Sequence, residues 1–240
     1  MIPLRDLERR PGIPFVTASL IFVNVVVWIY VLTLVDRPPA LLDFYDRWSF
    51  DPAAQLRTLA EGPRTLGTLA PFVTHQFLHA GWLHIVGNML FLWVFGAALE
   101  RRMGAGPYLV FYLFAGCVAA VAQGAFELSR LDTTPLVGAS GAISGVLGAY
   151  IVVSPAARIR ALVPLGLFVT VMTLPSVLVL GEWFVLQIIA TIGVLRVVGE
   201  ETVRVAYVAH VAGFVTGAVL FGLARIDAFV RRSRARPATA

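Results

Sequence analysis

Charge is scarce in this chain: only 14% of its 240 residues are Asp, Glu, Lys or Arg, against about 25% in a soluble domain. Lysine is absent, so all 19 basic residues are arginine, a bias that reads as compositional habit rather than function. Cysteine occurs once, at Cys117. That excludes an intramolecular disulfide and a cysteine-built metal site, and Cys117, set among apolar neighbours, reads as a small packing residue. What fills the chain instead is apolar: 58% of residues are hydrophobic and the mean hydropathy is +0.82.

Several long apolar runs and few charges describe a polytopic membrane protein. Each crossing needs ~20 residues, so the length accommodates one compact membrane domain. The first run, from Phe15 to Val35, is too long for the apolar region of a signal peptide. It is followed by Asp36-Arg37-Pro38-Pro39 rather than a small-residue cleavage site, so it is expected to be a retained helix. Further transmembrane helices are expected at 82–99, 107–128, 140–154, 175–195 and 207–224, which makes six and an all-α fold. The fourth is short for a full span, which implies that one end stops below the surface at a water-filled depression. The stretch 161–174 is apolar but interrupted by Pro164 and Pro175; it reads as a bent extension of the fifth helix, a re-entrant piece or a separate crossing. Residues 1–14 precede the membrane domain at 15–225, and the Arg-rich tail at 226–240 is expected to be disordered and to face lipid headgroups.

With six crossings, twelve arginines fall on the side of the two termini and seven on the other. Positive loops stay inside, so both termini are expected to be cytoplasmic, in the plasma (inner) membrane of a bacterium. The net charge of +5 is thereby accounted for by topology, and no nucleic-acid partner is expected. Residues 36–81 form an unusually long connector. Leu41, Leu42, Phe44, Trp48, Phe50, Leu56 and Leu59 are scattered through it among charges, which suggests short amphipathic helices in the outer interface of the bilayer.

Against this background a few polar residues stand out, because ionisable groups inside a bilayer are expensive and mark functional sites. Ser140 opens the fourth helix within Gly138-Ala139-Ser140-Gly141. His210 lies near the start of the sixth, within Ala209-His210-Val211-Ala212-Gly213. His84 and Asn88 are one turn apart near the start of the second. These three helices all enter from the same side, so the four residues share a shallow depth. Gly141/Gly145 and Gly213/Gly217 form small-xxx-small faces that let helices four and six approach closely, and His210 continues the second face upward. A neutral histidine within reach of a serine hydroxyl can take its proton. No intramembrane Asp or Glu is placed as a third member, so the expectation is a Ser140–His210 dyad. The Ser140 backbone N–H at a helix N-terminus, with His84 and Asn88, would supply the oxyanion donors.

Rival readings are weaker. His75-Gln76-Phe77-Leu78-His79 has the histidine spacing of a zinc-protease helix, but that chemistry needs a Glu where Gln76 stands. His75 and His79 are read as loop hydrogen-bonding residues, with His79 also shaping the site. Ser144 also precedes a glycine but lies one turn deeper and reads as packing. A transporter would place charges deep in several helices or pair broken helices. Glu182 is the sole acidic candidate near mid-membrane, and it is read as facing the helix-five gate or a partner side chain.

These motifs together resemble the rhomboid family of intramembrane serine proteases. Gly138-Ala139-Ser140-Gly141 is similar to the family's GxSG, Ala209-His210-Val211-Ala212-Gly213 to its AHxxG, and His84-Ile85-Val86-Gly87-Asn88 to its HxxxN. Phe77-Leu78-His79 and Glu100-Arg101 resemble further family features, in family order, over residues 15–225. The resemblance implies a six-helix bundle, a catalytic Ser140–His210 dyad, and an oxyanion site of His84, Asn88 and the Ser140 amide. It also implies single-pass transmembrane proteins as substrates, cleaved near the outer membrane face, with no metal or cofactor. The alternative within the same resemblance is a catalytically inactive membrane chaperone or trafficking factor. One departure is visible: the Trp-Arg pair common in the family's first loop is replaced by Leu69-Ala70-Pro71-Phe72, which leaves the packing of that loop open.

Overall fold

The computed structural model describes residues 1–8, 11–62, 65–129, 135–166, 168–196 and 206–234. Arg9, Arg10, Arg64, Arg130, Arg204 and Arg236, which entered the topology count, lie outside these residues, as does the side chain of Leu59. A short strand, β1 (Ile2–Asp6), precedes α1 (Phe15–Leu32). The first loop then carries α2 (Pro38–Trp48), α3 (Pro52–Glu61), α4 (Leu66–Leu69), α5 (Pro71–Thr74) and one 3₁₀ turn at His75–Phe77. Next come α6 (Trp82–Phe91) and α7 (Ala97–Met103), one rod joined by five residues of π-helix at Leu92–Gly96. The chain continues with α8 (Ala105–Ser129), α9 (Ser140–Val153), β2 (Arg158–Leu165), β3 (Phe168–Pro175), α10 (Ser176–Arg196) and α11 (Tyr207–Arg234).

Four of these rods are long and apolar enough to cross a membrane: Phe15–Leu32, Trp82–Met103, Ala105–Leu128 and Tyr207–Ile226. Two shorter apolar helices, Ser140–Val153 and Ser176–Ile192, complete the bundle. The short α9 is its centre. Every residue from Gly141 to Tyr150 is buried, which a 14-residue helix achieves only when surrounded. On one side a Cβ at Gly145 would lie 2.5 Å from Ala115 of α8, and one at Gly141 2.7 Å from Ala119. On the other side α9 meets α11 backbone to backbone. A Cβ at Gly213 would strike the Gly141 carbonyl, one at Gly217 the Gly145 carbonyl, and one at Gly148 the Phe214 carbonyl. Only hydrogen fits at these crossings, so the glycines set the distance between the two helices.

At the far end of α7, Glu100 is buried, 3% exposed, in an otherwise apolar setting. Its carboxylate accepts hydrogen bonds from the Val16 amide (2.8 Å), the Thr17 amide (2.7 Å) and the Thr17 hydroxyl (2.7 Å). The first turn of α1 has no side-chain cap of its own, so Glu100 satisfies orphan amides and sits against the positive end of the helix dipole. Arg101 next to it donates to the Gly12 carbonyl at 2.9 Å.

The fold is not all-α. The stretch 161–174 is neither a bent extension of the fifth helix, a re-entrant piece nor a crossing: β2 and β3 form an antiparallel hairpin that β1 extends into a three-stranded sheet ordered β1-β2-β3. Pro164 and Pro175 forbid a helix interior, and Val169, Thr170, Val171 and Thr173 favour extended backbone. Gly166, at φ +62°, supplies the left-handed residue that the hairpin turn requires. Along β2, exposed Arg158 and Arg160 alternate with buried Ile159 and Ala161, the period-two pattern of a strand. Pro164 lies past the last β1 partner, since Ile2 pairs with Leu162, so no ladder bond to β1 is asked of it. The sheet is tied to the bundle at Asp6, which accepts from the Tyr150 hydroxyl at 2.7 Å. Glu182, expected to face the helix-five gate or a partner side chain, pairs with the amino group of Met1 at 3.2 Å.

The tail also departs from expectation. α11 runs on to Arg234, because the sequence from Arg225 to Arg234 contains neither Pro nor Gly to stop it. Residues 235–240 lie outside the described residues.

Candidate active site

Ser140 is the first residue of α9. Its amide is therefore among the helix N-terminal donors that have no intrahelical acceptor, and no side chain caps them. The approach to Ser140 is pinned from outside. The Gly138 amide donates to the His75 carbonyl at 2.9 Å, and Leu136 and Phe50 exchange both backbone hydrogen bonds, at 2.8 and 3.1 Å. Gly138 itself has φ +124°, a conformation that disfavours any side chain. A Cβ there would lie 2.7 Å from His84 Nε2 and 3.7 Å from Asn88 Nδ2. The glycine two residues before Ser140 is thus what allows the imidazole and amide of α6 to close on this turn.

α11 brings His210 in from the opposite flank. Its Nε2 lies 2.8 Å from the Ser140 hydroxyl. The height of the α11 start is fixed by Gln123 of α8, whose side-chain oxygen accepts from the Ala209 amide at 3.0 Å. The other imidazole nitrogen, Nδ1, lies 2.8 Å from Oε1 of Gln187 on α10. Rings of Trp183 and Tyr207 stand 6.0 and 6.3 Å from the imidazole.

The structure therefore brings all four residues singled out from the sequence into one neighbourhood: Ser140 and His210 in direct hydrogen-bonding contact, His84 and Asn88 against Gly138. Asn88 has a second engagement, since its Nδ2 donates to His79 Nε2 at 2.9 Å. His79 in turn lies edge-on to His84, ring centroids 5.0 Å apart. Ser144 is wholly buried and spends its hydroxyl on the Ser140 carbonyl at 2.6 Å. Gln76 is turned away from this cluster, donating to the carbonyls of Phe72 and Leu113 at 3.2 and 3.3 Å. Cys117 donates its thiol to Phe72 at 3.2 Å. Among the described residues no group of three or more His, Cys, Asp or Glu is placed to hold a metal ion.

Residues 66–225 match the Rhomboid domain. The chain belongs to the rhomboid family. This rhomboid is 32% identical over 163 residues to the rhomboid protease GluP of Bacillus subtilis, covering 67% of this chain and 27% of that protein. It is 29% identical over 174 residues to the chloroplastic rhomboid-like protein 11 of Arabidopsis thaliana, covering 68% of this chain and 57% of the relative. To the rhomboid protease GlpG of Klebsiella pneumoniae it is 26% identical over 121 residues, half of this chain and 38% of that one. The chain thus spans between about a quarter and three fifths of the length of these relatives. Family and apolar helices together make it a membrane protein.

Where the family's Trp-Arg pair is missing, the rhomboid packs its first loop by other means. Pro71 opens α5 and its carbonyl accepts from His75 Nδ1 at 2.7 Å, while Phe72 packs edge-on to buried Phe50 with centroids 5.0 Å apart. Gln187 and Gln123 were not found from the sequence. Each is a polar residue in a mostly apolar helix, the same kind of signal that singled out Ser140. Nothing in the sequence, however, says which helix faces they share with His210.

Proposed function

We propose that this rhomboid is an intramembrane serine endopeptidase with Ser140 as nucleophile and His210 as general base. The observation that carries the reading is the 2.8 Å contact between the Ser140 hydroxyl and His210 Nε2, formed at the uncapped N-terminus of a buried helix. A serine hydroxyl is a weak nucleophile until its proton is taken, and a neutral imidazole in contact with it does so near neutral pH. His210 Nε2 accepts that proton as Oγ bonds to the substrate's carbonyl carbon and the carbonyl electrons move onto oxygen. The oxyanion falls to the Ser140 amide, the helix dipole behind it, and the Asn88 and His84 side chains beside Gly138. Collapse breaks the C–N bond as His210 returns the proton to the departing amine. Water, deprotonated by the same imidazole, then frees the acyl group from Ser140.

The substrates we propose are single-pass transmembrane proteins. Location supports this choice of partner, because Ser140 opens a helix too short to span the bilayer, about 21 Å at 1.5 Å per residue. Its opening is therefore recessed within the membrane near one face. The arginine distribution supports an orientation with the termini and the β1-β2-β3 sheet cytoplasmic and Ser140 toward the outer face of a bacterial plasma membrane, six helices crossing in all. No cofactor enters this chemistry.

The test is cleavage of a single-pass reporter in liposomes. Wild type should cut it near its outer helix end, Ser140→Ala and His210→Ala should each abolish cutting with the fold retained, and the double variant should be no worse. Chelators should leave the activity unchanged. A well-folded wild type that cuts no reporter would favour the inactive chaperone or trafficking reading.

A further inference from the structure

We infer that Gln187 of α10 is the positioning residue for the His210 base, holding its imidazole in the one tautomer that can accept the Ser140 proton. The inference rests on the Ser140–His210 reading above. A neutral imidazole carries one N–H and one bare nitrogen. To act as base toward Ser140, Nε2 must be the bare one, so the proton must reside on Nδ1. That proton needs an acceptor, because a buried donor in an apolar bundle is costly when unpaired.

Gln187 Oε1 stands 2.8 Å from Nδ1 and accepts that N–H. The amide could serve the wrong way round, presenting its NH₂ to the ring instead, but the contact at its other end favours the oxygen toward the ring. Gln187 Nε2 points at the Trp183 carbonyl one turn back on α10, at 3.5 Å, where an amide oxygen would face another oxygen. The Trp183 carbonyl therefore directs the Gln187 oxygen at His210, while the Trp183 ring runs alongside the imidazole with centroids 6.0 Å apart. The backbone at Gln187 is engaged too, accepting from the Thr191 hydroxyl at 2.8 Å.

A glutamine does this job differently from a carboxylate. It fixes the tautomer and the ring plane but offers no negative charge to balance the imidazolium that forms when Nε2 takes the proton. The base thus gains direction without gaining strength, and the charge balance falls to the developing oxyanion itself. The position next to Nδ1, where an acidic third member would stand, is occupied by a neutral acceptor.

Three measurements on the full chain in liposomes or detergent test this. Gln187→Leu keeps the bulk and removes the acceptor; kcat should fall about 10–100-fold, as when the outer partner of an oriented histidine is lost, with KM nearly unchanged and the melting temperature close to wild type. Gln187→Glu restores the acceptor and adds charge; it should keep substantial kcat above neutral pH and move the acid limb of the kcat/KM profile upward by about one pH unit or more. The third readout needs no activity. In Ser140→Ala, ¹⁵N spectra of the His210 ring should show the proton on Nδ1, and adding Gln187→Leu should release it into a mixture of tautomers. Wild-type kcat in Gln187→Leu, an unmoved acid limb in Gln187→Glu, or an unchanged His210 tautomer would each overturn the assignment. If Gln187→Leu fails to fold, Gln187→Glu and the spectra decide. If no reporter is cleaved at all, the protease reading falls while the spectra still decide Gln187.

Discussion

The turn that carries Ser140 is held from two sides by regions of opposite character. On one side the seam between α9 and α11 is nearly all hydrogen and carbonyl: Gly141, Gly145 and Gly148 against Gly213, Gly217 and the Phe214 backbone. On the other side the first loop holds the same turn with hydrogen bonds, from the Gly138 amide to the His75 carbonyl, between Phe50 and Leu136, and from Asn88 to His79. The glycine crossings of the seam tolerate no added volume. The loop has room for change but depends on donors, acceptors and neutral histidines. One region fixes where Ser140 and His210 meet; the other fixes what surrounds them.

A single methyl group on the seam should have the largest effect. Gly217→Ala pushes a Cβ into the Gly145 carbonyl, and overpacking of this kind costs about 1–3 kcal/mol or more. It should also move His210 away from Ser140, so proteolysis should fall with the melting temperature. Gly222→Ala on the same helix meets nothing within 4 Å and should be neutral or stabilising by up to about 1 kcal/mol. Equal melting temperatures for the two variants would remove the distinction between seam and surroundings.

Asn88 belongs to both regions, which makes its loss the next largest effect. Asn88→Ala removes the hydrogen bond to His79, worth about 1 kcal/mol, and on the proposed reading one oxyanion donor, worth about 10²-fold in kcat. Turnover should therefore drop far more than stability, with little change in KM. A variant that melts early yet turns over normally at low temperature would leave Asn88 as loop glue alone.

Acid should act on the loop and spare the seam. Burial pushes the His75 imidazole down to about 4, partly opposed by its hydrogen bond to Pro71. Burial, with neighbouring His84 adding to it, pushes His79 down to about 3. Both folded values lie below the ordinary 6.5, so the unfolded chain takes up protons first. Their stability contribution is complete above pH 6.5 and is lost as pH falls from there toward about 4 for His75 and about 3 for His79. At pH 5 each histidine should cost about 2 kcal/mol, read as a drop in melting temperature. His75→Gln keeps a donor for Pro71 without titrating and should flatten part of that slope; an identical slope would place the acid sensitivity elsewhere. Smallest of all, Tyr45→Phe removes the hydroxyl that donates to the His79 carbonyl at 2.7 Å. It should cost about 1 kcal/mol and leave turnover in place.

The seam was readable from the sequence and the loop largely was not, for a physical reason. Helical spacing turns Gly141/Gly145 and Gly213/Gly217 into faces by arithmetic, and helices of alternating direction give Ser140, His84 and His210 a common height. The contacts of the loop join Phe50 to Leu136 and His75 to Gly138 across long separations with no periodicity to announce them. The hairpin was missed although Arg158-Ile159-Arg160-Ala161 alternates, because an apolar stretch beside a membrane helix reads first as more helix. Gln187 is polar in a mostly apolar helix, but its relation to His210 depends on how α10 is rotated against α11, which no sequence period fixes.

The central claim is that one serine is activated by one histidine, and labelling with a biotinylated fluorophosphonate followed by peptide mapping tests it most directly. The expected result is a single adduct on Ser140, lost in His210→Ala and retained in Ser144→Ala. An adduct on Ser144, or labelling of Ser140 that persists at the wild-type rate without His210, would contradict the account.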